Sequence, residues 1–255
     1  MRFEKWHALG NAYVLLVQPD AGVLTPERVR RICDTSTGIG SDGVAEILRH
    51  ESARAEIAIW NPDGSLAEMS GNGSRIAAAW LLREKGGQEV EILTAGRAVR
   101  AVLAGDGLVR QEIGDVFVAP DEALDLTGER VTVTPVDAGN PHAVVLREVL
   151  SRDDLLRLGP AIEAHPRFPG RTNVQLARAL GRDALAALVW ERGAGETRAS
   201  GSSAVAVAAA AVARGWCDRL VRVAMPGGEL QVEVMGSSVV LTGPAERICE
   251  GTTAL

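Results

Sequence analysis

One pattern occurs twice in this chain, and that doubling limits the possible folds more than any other feature. Trp60-Asn61-Pro62-Asp63-Gly64 leads into Ser70-Gly71-Asn72-Gly73-Ser74, and Trp190-Glu191-Arg192-Gly193-Ala194-Gly195 leads into Ser200-Gly201-Ser202-Ser203-Ala204. Trp60 to Trp190 and Ser70 to Ser200 are both steps of 130 residues. Landmarks on either side repeat in the same order. Gly10-Asn11 before the apolar run Tyr13 to Val17 is answered, at a step of 129, by Gly139-Asn140 before Ala143 to Leu146. Asp42-Gly43-Val44 is answered by Thr172-Asn173-Val174. Thr25 to Cys33 and Ser151 to Ala164 each open on a hydroxyl residue followed by acidic ones, which satisfies free N–H groups at a helix start and predicts a helix in each half.

Behind each serine motif lies a second helical stretch, Ile76 to Arg83 and Val205 to Arg214. Short apolar or alternating runs follow: Glu89 to Leu93 and Val99 to Leu103, then Leu220 to Ala224, Leu230 to Met235 and Val239 to Thr242. Pro226-Gly227-Gly228 reads as a turn between two of these. Strands outnumber helices and neighbour one another in sequence, which favours antiparallel or mixed sheets. The reading is α+β: two pseudo-symmetric duplicated domains, each a curved, mostly antiparallel or mixed sheet around a central alanine-rich helix. Alanine on every side suits a helix that sheets approach closely. The boundary is expected near Gly114 to Pro120, giving halves 1–116 and 117–245.

Composition removes several function classes. At 255 residues with 46% apolar content, two ordinary domains or one large one can bury their own cores. The formal net charge is −6 with no basic block, which argues against nucleic acid as a partner. No run reaches the ~18 apolar residues of a membrane span, and Ala204 to Ala213 is too short. Met1 to Lys5 does not resemble the start of an export signal. Three widely spaced cysteines, Cys33, Cys217 and Cys249, fit a reducing cytoplasm and read as small buried hydrophobes. The histidines His7, His50, His142 and His165 are scattered without metal-ligand spacing, so no metal is expected.

Each repeated motif reads strand, Gly-rich loop, Ser-Gly, helix. Glycine lets the backbone approach a ligand, and the helix start aims free N–H groups and a positive dipole end at it, which favours an anion. The donors would be the amides of Gly71, Asn72 and Gly73 in one half and of Gly201, Ser202 and Ser203 in the other. Two such starts on one carboxylate would also stabilise negative charge forming beside it. Ser70 and Ser200 have a plainer reading as helix N-caps, which serine favours.

Several stretches together resemble the diaminopimelate epimerase family. They are Phe3-Glu4-Lys5-Trp6-His7-Ala8-Leu9-Gly10-Asn11, Thr37-Gly38-Ile39-Gly40-Ser41-Asp42-Gly43, Asn61-Pro62-Asp63-Gly64-Ser65, Gly139-Asn140-Pro141-His142, Glu191-Arg192-Gly193-Ala194-Gly195-Glu196-Thr197 and Thr242-Gly243-Pro244-Ala245-Glu246. The resemblance spans nearly the whole chain in order. It implies two pseudo-symmetric domains with a cleft between them, and a tail, about 246–255, that joins the first. It implies a cofactor-free, two-base inversion at an amino-acid Cα, interconverting LL- and meso-diaminopimelate on the lysine and peptidoglycan route. It also implies a small-molecule substrate and a possible homodimer.

The family places a cysteine before each Gly-rich helix start, and here Ser70 and Ser200 stand at those positions. Carried over residue by residue, Asn11, Asn61, Asn140 and Asn173 match the asparagines lining the site, with turn chemistry as the plainer reading. Glu191 and Arg192 match the pair that holds the substrate's distal end. An arginine fork can grip a carboxylate and a glutamate can accept from an ammonium. A serine is a poor direct base unless a neighbour takes its proton. His142, Glu196 and His7 are the candidate neighbours. Three readings stay open: an active isomerase with serines in the acid/base positions, a homologue that binds ligand without catalysis, or a racemase for a different amino acid. A laboratory exchange of the cysteines fits poorly, because Ser203 also stands where the family pattern has glycine.

Overall fold

The computed structural model describes residues 1–67, 70–105 and 107–255. The first elements are β1 (Arg2–Ala8), β2 (Asn11–Val17), α1 (Pro26–Cys33), β3 (Val44–His50), β4 (Arg54–Trp60), α2 (Gly71–Lys85), β5 (Glu89–Thr94), β6 (Arg97–Leu103) and β7 (Leu108–Asp115). There follow β8 (Phe117–Val118), β9 (Glu122–Leu126), β10 (Glu129–Asp137), β11 (Pro141–Leu146), α3 (Arg152–Glu163), β12 (Asn173–Gly181), β13 (Ala184–Glu191) and β14 (Gly195–Thr197). The chain ends with α4 (Gly201–Ala213), β15 (Leu220–Met225), β16 (Gly228–Met235), β17 (Ser238–Pro244) and β18 (Glu246–Thr252). Contacts divide it into two compact units, Met1–Glu112 with Thr242–Leu255, and Ile113–Leu241.

In the first unit β2 runs parallel to β3, β3 antiparallel to β4, β4 parallel to β5, and β5 antiparallel to β6. In the second unit β11, β12, β13, β15 and β16 repeat that sequence of parallel and antiparallel pairings. β18 returns along the chain to pair antiparallel with β1. The sheets are mixed, and the repeat read from the sequence is a repeat of topology.

In the first unit β2 carries a helix on each face. On β2, Tyr13 and Leu15 join the cluster that holds Ile76, Ala77 and Trp80 of α2. Val14 and Leu16 face the other way and pack with Val29 and Ile32 of α1. A strand's period of two produces this division, and burial on both faces explains why the run is apolar throughout. In the second unit Ala143, Val145, Val174 and Leu176 pack on Leu155, Leu158 and Ile162 of α3.

The two central helices are buried almost all round. Every residue of α4 from Gly201 to Ala211 is buried. Alanine there lets strands approach closely while keeping high helix propensity. α2 ends at Gly86, which adopts φ 66°, a left-handed conformation that glycine takes without a Cβ penalty.

Close approach also governs α3. A Cβ added at Gly159 would lie 2.7 Å from Cγ of Trp190 on β13. The helix backbone rests directly on the indole. Gly159→Ala is expected to cost about 1–3 kcal/mol through overpacking. A lowered urea midpoint with an unchanged slope would report it; an unchanged midpoint would show that the indole gives way freely.

Candidate functional site

In the first unit the serine is a cap with a second partner. Ser70 is the N-cap of α2, and its Oγ accepts from the amide of Gly73 at 3.0 Å. The Tyr13 hydroxyl lies 3.0 Å from the same oxygen. Tyr13 reaches it because residues 11, 13 and 15 of β2 share the face turned to α2. The cap engages one of the three amides expected to serve an anion, so Gly73 belongs to Ser70.

Around this helix start the polar groups form a chain. Asn72 donates from Nδ2 to Oδ1 of Asn11 at 3.0 Å. Arg75 donates from Nη2 to Oδ1 of Asn72 at 2.9 Å, from Nη1 to the Gly71 carbonyl at 3.3 Å, and from Nε to the Pro244 carbonyl at 3.0 Å. Arg75 is wholly buried, and burial pushes its pKa down to about 10. Its three hydrogen bonds all go to neutral acceptors, on a helix whose N-terminal end is already positive. Asn61 serves a turn, donating from Nδ2 to Oγ of Ser65 at 2.9 Å.

The second unit handles its serine differently. Ser200 is the N-cap of α4 and 4% exposed, yet its side chain makes no capping hydrogen bond. Gly201 and Ser202 behind it are buried. Ser203 is fully buried, and its Oγ accepts from Nε2 of Gln175 at 3.0 Å. That bond gives the buried Ser203 hydroxyl its partner. Nε2 of Gln175 is also 3.0 Å from Nδ1 of His142, whose Nε2 is 2.8 Å from Oδ1 of Asn140.

His142 is 1% exposed, and its pKa is pushed down to about 3, burial being the main cause. The Gln175 bond opposes that shift, and the charge of Arg192 adds to it. The ring is neutral, accepts from Gln175 and donates to Asn140. Read from the sequence as a neighbour that could take a proton from a serine, His142 here engages both ring nitrogens with Gln175 and Asn140. Glu196, the second candidate neighbour, is held by Arg152, which donates to its two oxygens at 2.8 and 2.6 Å. His7 accepts the Gly10 amide at Nδ1, 3.3 Å away, and stands 3.8 Å from Glu246 at Nε2.

The depressed His142 pKa fixes the sign of a pH effect. Between pH 6.5 and about 3 the unfolded chain binds a proton at this residue that the folded chain refuses. The stability that the buried neutral ring contributes is thus present above pH 6.5 and lost as pH falls toward 3. The expected slope approaches about 1.4 kcal/mol per pH unit from this group. Urea midpoints at pH 7 and 5 should show that decline in the natural chain, with a shallower one in His142→Gln. Equal slopes in the two proteins would remove His142 as the cause.

The loop after β13 presents the remaining candidates. Asn173 receives the Arg192 amide at Oδ1, 3.0 Å, and donates from Nδ2 to the Pro141 carbonyl at 3.0 Å. Glu191 accepts from the Thr197 hydroxyl at 3.1 Å, and Arg192 donates from Nη1 to the Gly170 carbonyl at 3.3 Å. Beneath the loop Glu163, 4% exposed, accepts from Trp190 Nε1 at 2.7 Å and from the Gly193 amide at 2.8 Å, and pairs with Arg171.

Tyr13, Arg75 and Glu163 are absent from the sequence-based candidates. Tyr13 stands two residues after Asn11 on a strand, and that spacing was a usable signal. Arg75 is a cation within an apolar helix, and Glu163 follows Ile162 on the buried face of α3. Cys33 and Cys217 are buried, and burial pushes both thiols up. Cys249 is exposed on β18, against the expectation that all three cysteines fill cores.

Solved structures show the fold first. The chain shares its fold with a probable proline racemase from Agrobacterium radiobacter (TM-score 0.75, 20% identity, 100% of this chain and 93% of that one). It shares it too with a hydroxyproline epimerase from Agrobacterium vitis (TM-score 0.74, 17% identity, 98% and 91%). A phenazine biosynthesis protein of the PhzF family from Bacillus anthracis shares it as well (TM-score 0.75, 14% identity, 100% and 99%). Within the chain, the diaminopimelate epimerase family matches residues 3–118 and 134–248. Diaminopimelate epimerases from Nostoc punctiforme (38% identity over 98% of this chain and 99% of the relative) and Pseudomonas syringae pv. tomato (35% over 100% and 99%) are similar along their full length. The chain belongs to the diaminopimelate epimerase family.

Proposed function

We propose that the chain is a diaminopimelate epimerase-type isomerase that inverts Cα by two-base proton transfer, with Ser70 and Ser200 in the two acid/base positions. The observation that carries this is the equivalence of the two serines. Each is the N-cap of a buried helix, at the same place in a repeated fold. The reaction needs one proton-transfer group on each face of a stereocentre, and helix starts stabilise the charge that forms there. Glu191 and Arg192 supply both signs for a zwitterionic distal end, and Asn11, Asn61, Asn140 and Asn173 supply neutral donors and acceptors. The substrate proposed is diaminopimelate, used for lysine and peptidoglycan precursors.

The test is incubation with LL-diaminopimelate in deuterated water. Deuterium at Cα together with the meso isomer is the expected result; neither, at high enzyme and long times, would sink the activity. A second reading, ligand binding without turnover, is favoured by one observation: His142 and Glu196 are both engaged away from the serines. It predicts calorimetric binding with no label. A racemase of another amino acid would exchange label only with that substrate. Among the described residues no helix is long and apolar enough to cross a membrane. We place the protein in the cytoplasm as a homodimer, the latter open to light scattering.

A further inference from the structure

The two halves treat their serines unequally, and the inequality lies in groups that the repeat does not share. Tyr13 and His142 occupy equivalent places, two residues after Asn11 and Asn140 respectively. Tyr13 turns its hydroxyl to Ser70, whereas His142 turns both nitrogens to Gln175 and Asn140. Arg75 brings a buried cation to the first turns of α2, where the matching place in α4 holds Val205. Ser70 Oγ receives the Gly73 amide, and Ser200 makes no such bond.

Resting on the function proposed above, we propose that Tyr13 is the positioning residue that lets Ser70 transfer a proton, holding in its phenol the charge that the serine cannot hold. When Ser70 protonates Cα, its O–H bond breaks as the Cα–H bond forms. The phenol proton passes to the Ser70 oxygen, and the negative charge rests on the phenolate. In the opposite direction Ser70 takes the Cα proton while its own returns to the phenolate. Phenols ionise near pH ~10, far more readily than an aliphatic alcohol. The relay thus replaces an alkoxide with an accessible anion, and the buried charge of Arg75 favours an anion at this helix start.

Ionisable groups flank Tyr13 on each neighbouring element. Asp42, before β3, accepts the adjacent Ala12 amide at 2.7 Å. Arg75 lies in α2. On β1, Lys5 and His7 flank Trp6, the residue opposite Tyr13, and strand alternation turns them to the other face.

Two measurements test the proposal. Tyr13→Phe keeps the ring and its packing. In the natural background it should lower kcat on the order of 10- to 100-fold, the worth of a hydrogen bond to a charged group, with KM unchanged. In an S70C background, where a thiolate needs no relay, the same substitution should cost little, so the two effects are strongly non-additive. An equal loss in both backgrounds, or none in either, would overturn the proposal. The second measurement needs no turnover. Tyr13 is the only tyrosine of the chain, so its ionisation is readable by near-ultraviolet absorbance. Ser70→Ala should raise the midpoint of that transition, because the serine hydroxyl donates to the phenolate. An unmoved or lowered midpoint would overturn the proposal. An inert natural chain whose midpoint moves as expected would sink the epimerase activity alone.

Discussion

Replacing Ser70 and Ser200 together with cysteine is expected to raise the rate of Cα inversion by about 10²–10⁴-fold. The argument rests on acidity. A thiol ionises near pH ~8.5 in water, and a helix N-terminus lowers that further. Both serines occupy such a terminus, so the scaffold already provides the field a thiolate uses. A serine in the same field stays protonated near neutral pH. The two single variants should differ. Ser200→Cys removes no capping hydrogen bond, since Ser200 makes none. Ser70→Cys gives up the bond from Gly73 and the approach of Tyr13. The first should therefore gain more than the second. Each single gain should fall well short of the double, because every turnover in either direction uses both groups. Deuterium wash-in and the interconversion rate of the LL and meso isomers measure this. A double variant no faster than the natural chain would show that something other than the acid/base pair limits the reaction.

That contrast between the serines could not be read from the chain, although their equivalence could. Trp60 with Ser70 and Trp190 with Ser200 are spaced alike because each half must place a strand, a turn and a buried helix in one order, and local chemistry encodes that order. Helix starts at Thr25 and Ser151 were legible for the same reason: each hydroxyl accepts an amide three residues on. Partners across strands were not legible. Tyr13 and Ser70 are 57 residues apart, and only the packing of β2 on α2 joins them. His142 looked available as a base because sequence cannot show that Gln175 and Asn140 already occupy its ring. Glu196 looked available because Arg152 is 44 residues away in the chain. Cys249 reads as a small buried hydrophobe by residue type, but it sits among charged residues on the exposed stretch of β18, Glu246 to Glu250.

Glu163→Ala is expected to cost roughly 3 kcal/mol or more of stability and to weaken substrate binding as well. The carboxylate satisfies two donors at once, the Trp190 indole at 2.7 Å and the Gly193 amide at 2.8 Å. Trp190 is only partly exposed, so removing its acceptor leaves a donor poorly placed to find water, at about 1–3 kcal/mol for each such group. Arg171 contributes less, because its side chain is 55% exposed and can be hydrated when its partner is lost. Trp190 and Gly193 bracket Glu191 and Arg192, so the same carboxylate fixes the segment that presents the charged pair. Freed from it, the segment must be ordered by the ligand itself, which raises KM more than it lowers kcat. Glu163→Gln separates the two consequences. An amide oxygen can still accept from one donor, so part of the stability should return, and binding should recover with it if the loop is held by that bond. Urea midpoints and KM on the three proteins decide the matter. A Glu163→Ala protein that is less stable yet binds substrate normally would show that Arg192 is placed without Glu163, by contacts such as the bond from its amide to Asn173.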